Sequence, residues 1–140
     1  MADETNQLRV RLVTPERTRF EHTVAAVVLP AKNGYMEVLP GHAPLMAELG
    51  AGDVKIVGGP EGDKRYNVSW GFAEVLPQRV TILASDASKP EEIDVPRAEK
   101  QLDKGLQMWT EAGDSADAYT EALRVISEAE AKMSSAADKS

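Results

Sequence analysis

The chain has no cysteine, which excludes disulfides, thiolate chemistry and cysteine metal sites and permits a reducing compartment. Histidine is scarce. His22 and His42 stand twenty positions apart, without the close spacing of a zinc-ligand pair. No apolar run approaches the ~20 residues that span a bilayer. The start, Met1-Ala2-Asp3-Glu4-Thr5-Asn6-Gln7, is polar and acidic. It lacks the basic-then-apolar order of a secretory signal and the arginine content of a transit peptide. The expectation is a soluble protein, bacterial rather than organellar, that meets a membrane only through a partner. A basic excess is missing too. The net charge is −7, with nine basic and eleven acidic residues over 1–86 and three basic and six acidic over 113–140. That balance repels phosphate backbones and anionic lipid, so no nucleic-acid partner is expected.

What is present is a run of short strand patterns. The 140 residues suit one domain with an appendage. Leu8, Val10 and Leu12 alternate with Arg9 and Arg11, as in a half-buried strand. Thr14-Pro15-Glu16 breaks it, and Thr18, Phe20 and His22 open a second strand of a hairpin. Val24 to Leu29, closed by Pro30, reads as a buried strand. Ala31-Lys32-Asn33-Gly34 is a hairpin turn, since Asn-Gly favours one. Tyr35 to Leu39, Leu45 to Leu49 and Val54 to Val57 are further short strands. Tyr66, Val68 and Trp70 share one parity, whereas Ala73 and Val75 take the other; the change of phase at Gly71 predicts a β-bulge. Val80, Ile82 and Ala84 finish the β region. Short strands punctuated by Gly and Pro predict an all-β sandwich over 1–86.

Residues 87–92 read as a linker, and 93–140 as an antiparallel two-helix hairpin. Asp94 is placed to cap the first helix, and Pro96 is tolerated in its first turn. Ala98, Leu102, Leu106 and Trp109 recur at helical spacing. Gly113 ends this helix, and Asp114 or Ser115 starts the next, lined by Tyr119, Leu123, Ile126 and Met133. Ser134 to Ser140 is expected to fray.

Catalytic motifs do not emerge. There is no Gly-x-Ser-x-Gly, no Walker loop and no Gly-x-Gly-x-x-Gly after a strand. Gly58-Gly59 and Gly50-Ala51-Gly52 precede no helix that could hold a phosphate and read as turns. The carboxylates are scattered, with no paired acid and base. No catalytic residue, metal or cofactor is expected, and the chain reads as one that acts by contact. The stretch Gly34 to Leu45, with two prolines, a Pro-Gly turn and a histidine, reads as a shaped turn.

That stretch carries a resemblance. Gly34 with Val38-Leu39-Pro40-Gly41-His42-Ala43-Pro44-Leu45 resembles the signature turn of the epsilon-subunit family of F-type ATP synthases (delta in mitochondria). Gly71-Phe72-Ala73-Glu74-Val75, Val80-Thr81-Ile82-Leu83-Ala84 and Ile93-Asp94-Val95-Pro96-Arg97-Ala98 resemble later parts of the family pattern in order and spacing. The resemblance implies a β-sandwich with a C-terminal helical hairpin, and a non-catalytic rotor subunit of the central stalk. It would bind the gamma subunit and the ring of c subunits, reach the alpha/beta head transiently, and couple ring rotation to ATP synthesis. It would lie at the cytoplasmic face of the bacterial inner membrane as a peripheral part of the complex.

By that resemblance Gly41, His42, Ala43, Pro44, Leu45, Met46 and Ala47 would face gamma, and Ala31, Lys32, Asn33 and Gly34 would approach the c ring. Prolines suit such a loop because they lower the conformational entropy lost on docking. His42 is open to two readings, a hydrogen-bonding contact or a residue that holds the turn. Some family members bind regulatory ATP through an Ile/Leu-Asp-x-x-Arg-Ala motif and further arginines. Ile93, Asp94, Arg97 and Ala98 match the motif, but the second helix offers only Arg124. The preferred reading is that Asp94 caps a helix and Arg97 is a surface charge. Family members that brake ATP hydrolysis carry a basic second helix. Here it is acidic, so a weak brake is expected. The alternative reading of the whole chain is a free-standing regulatory or adaptor module of the same build.

Overall fold

The computed structural model describes residues 6–138. They fall into two compact units, Met1–Ser88 and Lys89–Ser140. The first holds eight strands. β1 (Leu8–Val13) and β2 (Thr18–Val24) form the expected hairpin. Leu8, Val10 and Leu12 are fully buried and the intervening arginines point outward. Thr14 Oγ1 holds the turn, donating to the Arg17 carbonyl at 3.1 Å.

The stretch from Val24 to Leu29 is not one strand. Val24 closes β2 and β3 runs from Ala26 to Ala31. Ala25 between them donates its N–H to Val57 O at 2.9 Å. Pro30 sits inside β3 rather than ending it. It needs no N–H there, and its carbonyl accepts from Gly50 N at 2.9 Å. A two-residue turn at Lys32 and Asn33 leads into β4 (Gly34–Val38), with Ala31 opposite Gly34.

β5 (Leu45–Leu49), β6 (Gly52–Gly59), β7 (Gly62–Leu76) and β8 (Arg79–Ser88) complete the unit. One layer is ordered β2-β1-β8-β7-β5, with β1 and β8 parallel. The other is β4-β3-β6, continued by the first half of β7 and the end of β8. Long β7 and β8 thus belong to both layers of the sandwich. β8 extends through Ala87 and Ser88, which pair with Val68 and Asn67. The linker expected at 87–92 is therefore shorter. Its first two residues are strand, and Pro90–Glu92 form a single 3-10 turn.

The corner where the layers meet explains the change of phase at Gly71. Inward residues are Ala47 and Leu49, then Val54 and Ile56; Val68, then Ala73; Ala84, then Ala87. Parity flips at one level in all three neighbouring runs. No residue is inserted, contrary to the bulge expectation: Ser69↔Asp86 and Gly71↔Ala84 keep one register, as do Leu49↔Gly71 and Gly52↔Val68. The flip is made in the dihedrals, with φ of 51° at Trp70 and 147° at Gly71. A Cβ at Gly71 would collide with the Leu83 carbonyl. The Ser85 hydroxyl spans the corner, reaching the carbonyls of Ser69 and, at 3.4 Å, Trp70. Both layers bury into one cluster that includes Leu12, Val27, Leu29, Val54, Ile56, Val75 and Ile82. Each such side chain contributes about 1.5–3 kcal/mol by leaving water.

The second unit is the expected hairpin, α1 (Val95–Glu111) and α2 (Ala116–Ala137). Ser115, not Asp114, caps α2, accepting from Ala118 N at 3.1 Å, and Gly113 takes φ of 59° in the connection. α2 continues through Ser134–Ala137, so most of the expected fraying tail is helical; residues 139–140 lie outside the described residues. The buried positions of the helices are small: Ala98 and Gly105 on α1, Ala122, Ala129 and Ser135 on α2. Gln101 Nε2 donates to Val125 O at 3.3 Å, and Trp109 meets Tyr119 edge to face at 4.6 Å. Leu106, Trp109 and Leu123, expected to line the helices, are exposed.

Candidate docking surface

The two turns singled out by the sequence lie at opposite ends of β5. Leu39-Pro40-Gly41-His42-Ala43-Pro44 leads into the strand, and the Ala31-Lys32-Asn33-Gly34 turn between β3 and β4 is bonded to its far end. At the entry, Gly41 takes φ of 89°, and its N–H donates to Pro77 O at 2.6 Å. That bond anchors the turn to the β7–β8 connection. His42 N donates to Leu39 O at 3.2 Å, and its Nδ1 lies 2.7 Å from Ala43 O, so that nitrogen carries the donated proton. The ring is thereby tied to its own loop while remaining half-exposed. Ala43, Pro44, Leu45 and Met46 are all exposed, Met46 at 65%.

Ala47 departs from the expectation. Its side chain is buried, opposite Ala73, because β5 alternates and Ala47 shares the inward parity of Leu49. It supports the edge from inside and presents no side chain to a partner.

At the far end of β5, the Ala31-Lys32-Asn33-Gly34 turn is tied down twice. Lys32 N donates to Glu48 O at 2.8 Å, and Lys32 Nζ lies 3.5 Å from Glu48 Oε1. Lys32, Asn33 and Gly34 are exposed, and Ala31 is half-buried. The five residues of β5, at about 3.3 Å each, separate the two turns by about 16 Å along the strand. The structure thus keeps the two predicted contact loops at opposite ends of one strand.

Two residues missed as surface features join this edge. Phe72 and Leu83 are 52% and 53% exposed and pair directly across β7 and β8. Their parity was the available signal. With Ala73, Val75 and Ile82 inside, Phe72 and Leu83 must face out.

The candidate nucleotide residues are placed differently. Asp94 Oδ1 accepts from Arg97 N at 3.1 Å, which is a helix cap. Arg97 and Arg124 are exposed, Ile93 is half-buried, and Ala98 is buried. Among the described residues, no group of three or more His, Asp or Glu side chains could hold a metal ion, and no helix is long and apolar enough to cross a membrane.

Residues 7–90 match the family model for the ATP synthase delta/epsilon chain, beta-sandwich domain. The ATP synthase epsilon chain of Koribacter versatilis is 43% identical over 103 residues, covering 73% of this chain and 71% of that one. The epsilon chain of Solibacter usitatus is 39% identical over 133 residues, covering 94% and 97%. A chain of the Euglena gracilis mitochondrial ATP synthase, solved with OSCP, F1 and c-ring, shares the fold with a TM-score of 0.75 at 23% identity, covering 90% of this chain and 79% of that one. Another, from the central stalk and c-ring of the Tetrahymena thermophila enzyme, has a TM-score of 0.69 at 15% identity, covering 92% and 96%. The match to the β unit, and the Solibacter relative that spans both units, mean that this chain belongs to the ATP synthase epsilon-chain family.

Proposed function

We propose that the β unit is a rigid coupling piece, with the Gly41–Met46 edge held by the gamma subunit and the Ala31–Gly34 turn held by the c ring. Family membership makes the chain a non-catalytic central-stalk subunit of ATP synthase, and its work is contact. The observation that carries the reading is β5. The Gly41 turn leads directly into it and is bonded to Pro77, and the Ala31–Gly34 turn is bonded to its far end through Lys32 and Glu48. A load applied at one turn passes to the other through hydrogen-bonded strand pairs rather than through a loop. The bacterial relatives support a site at the cytoplasmic face of the inner membrane, reached through the complex.

Site-directed crosslinking in the assembled complex tests this. A photoreactive group at His42 is expected to capture gamma, and one at Asn33 to capture a c subunit. Labelling of neither partner from either position would refute the assignment.

A further inference from the structure

The chain has three asparagines, Asn6, Asn33 and Asn67. Asn67 is 2% exposed, and its Nδ2 donates to Gly52 O at 3.4 Å and to Asp53 Oδ1 at 3.2 Å. Asn33 is the opposite case. It is exposed in the two-residue turn between β3 and β4, and its side-chain amide makes no hydrogen bond among the described residues. Alone of the three it precedes a glycine. Gly34 takes φ of 131°, and a Cβ there would meet nothing within 4 Å. Asn33 itself keeps a negative φ, since Trp70 is the one non-glycine residue with positive φ among the described residues. Glycine therefore takes the left-handed step of the turn, and the asparagine amide is left with no structural task. Its Cγ and the Gly34 N–H are neighbours in open, water-exposed space.

We propose that Asn33 is a covalent-modification site, which deamidates in the unassembled chain through a succinimide, with water as co-reactant. Gly34 N bonds to Asn33 Cγ and gives up its proton, and the Cγ–NH2 bond breaks to release ammonia. Water then opens the ring at either carbonyl. Opening at Cγ gives aspartate; opening at the main-chain carbonyl gives isoaspartate. The step needs a mobile amide, a following residue with no side chain to hinder ring closure, and access to water. Asn33 meets all three. Asn67 is buried, bonded and followed by Val68, and Asn6 is followed by Gln7. Isoaspartate routes the main chain through Cβ and so adds a backbone atom to a turn whose ends, Ala31 and Gly34, lie directly opposite each other. Either product sets a new carboxylate beside Lys32, whose Nζ already pairs with Glu48 at 3.5 Å. Where the c ring covers this turn, water and mobility are lost, so unassembled chains change and assembled chains are shielded. That shielding rests on the reading that the turn meets the c ring; the modification itself does not.

The test is timed incubation of the folded full chain in neutral and mildly alkaline buffer. Peptide masses report amide converted to acid, and labelling by an isoaspartyl methyltransferase reports the isoaspartate product. Asn33 is expected to convert at a rate within about tenfold of that of a free peptide of residues 30–37, because opening a turn at a loop tip costs little. The rate should rise with pH, since Gly34 N must lose its proton. Asn67 should keep its amide. N33Q is expected to abolish methyl labelling without lowering Tm, because the position is exposed. Asn33 intact in the folded chain after the peptide has fully converted would overturn the inference, as would labelling that persists in N33Q. The same measurement on the assembled complex is expected to give slower conversion than the free chain. Equal rates in chain and complex would overturn the shielding by the c ring and uphold the modification site.

Discussion

Gly105 of α1 lies against Ile126 of α2 so closely that a Cβ at Gly105 would come within 2.7 Å of Ile126 Cγ1 and 3.2 Å of Ile126 N. The side chain could turn away; the backbone nitrogen could not without moving the helix. Gly105→Ala gains about 1 kcal/mol of helix propensity, but overpacking costs about 1–3 kcal/mol. The expected result is a small net loss for Gly105→Ala and a loss above about 2 kcal/mol for Gly105→Val. Thermal unfolding followed by circular dichroism checks this. A Gly105→Val protein as stable as the parent would mean that the helices do not approach as described.

The corner of the sandwich makes a second expectation. Ser85 Oγ serves the carbonyls of Ser69 and Trp70 where Trp70 and Gly71 leave regular strand geometry. Ser85→Ala removes that donor and is expected to cost about 1–2 kcal/mol. Amide exchange near Trp70 should accelerate, while exchange at Val10 and Leu12 should not. Gly71→Ala should be worse, since its Cβ meets the backbone of Leu83 and Ala84 and its φ of 147° disfavours any side chain. Refolded Gly71→Ala with parental Tm would rule out this account of the corner.

Asp94 is engaged as a cap. Asp94→Ala is expected to destabilise the helical unit by about 1 kcal/mol, and Asp94→Asn by less, because asparagine also caps. Calorimetry with millimolar ATP is expected to give no saturable heat for the parent chain. Saturable binding lost in Asp94→Asn would reverse the assignment of this residue.

Strand identity was legible where alternation was strict. Leu8, Val10 and Leu12 could have only one burial pattern, and β1 follows it. The break at Ala25 was not legible, because it depends on Val57, a partner more than thirty positions away. The phase change at Gly71 was visible, but its cause was misread. A parity flip can come from an extra residue or from two unusual dihedrals, and residue order alone does not distinguish them. In the helices, periodicity of large residues pointed to Leu106, Trp109 and Leu123, whereas the buried positions include Ala98, Gly105, Ala122 and Ala129. Small residues allow close helix approach at those positions, while Leu106 and Leu123 stay exposed and Trp109 meets the other helix through Tyr119. In the turn before β5, Gly41, His42 and Pro44 were marked by the turn chemistry. Ala47 was included by the family resemblance, and alternation puts it inside.

The acidic second helix bears on regulation. Asp114, Asp117, Glu121, Glu128, Glu130 and Asp138 outnumber Arg124, Lys132 and Lys139 in residues 113–140. Lys132 is already engaged with an acidic neighbour on the same helix, pairing with Glu128 at 3.2 Å. A helix of this sign gains nothing from acidic surfaces of a catalytic head and is repelled by them. Truncation after Ser88, the last residue of β8, removes the helical unit at the observed boundary and leaves every strand pair intact. ATP hydrolysis by a complex carrying the truncated chain is expected to rise by less than about twofold, because the repulsion leaves little braking to release. Charge reversal of Glu121 and Glu128 to lysine in the full chain should do the opposite and slow hydrolysis. Strong activation on truncation would show that the hairpin brakes the enzyme by packing rather than by charge.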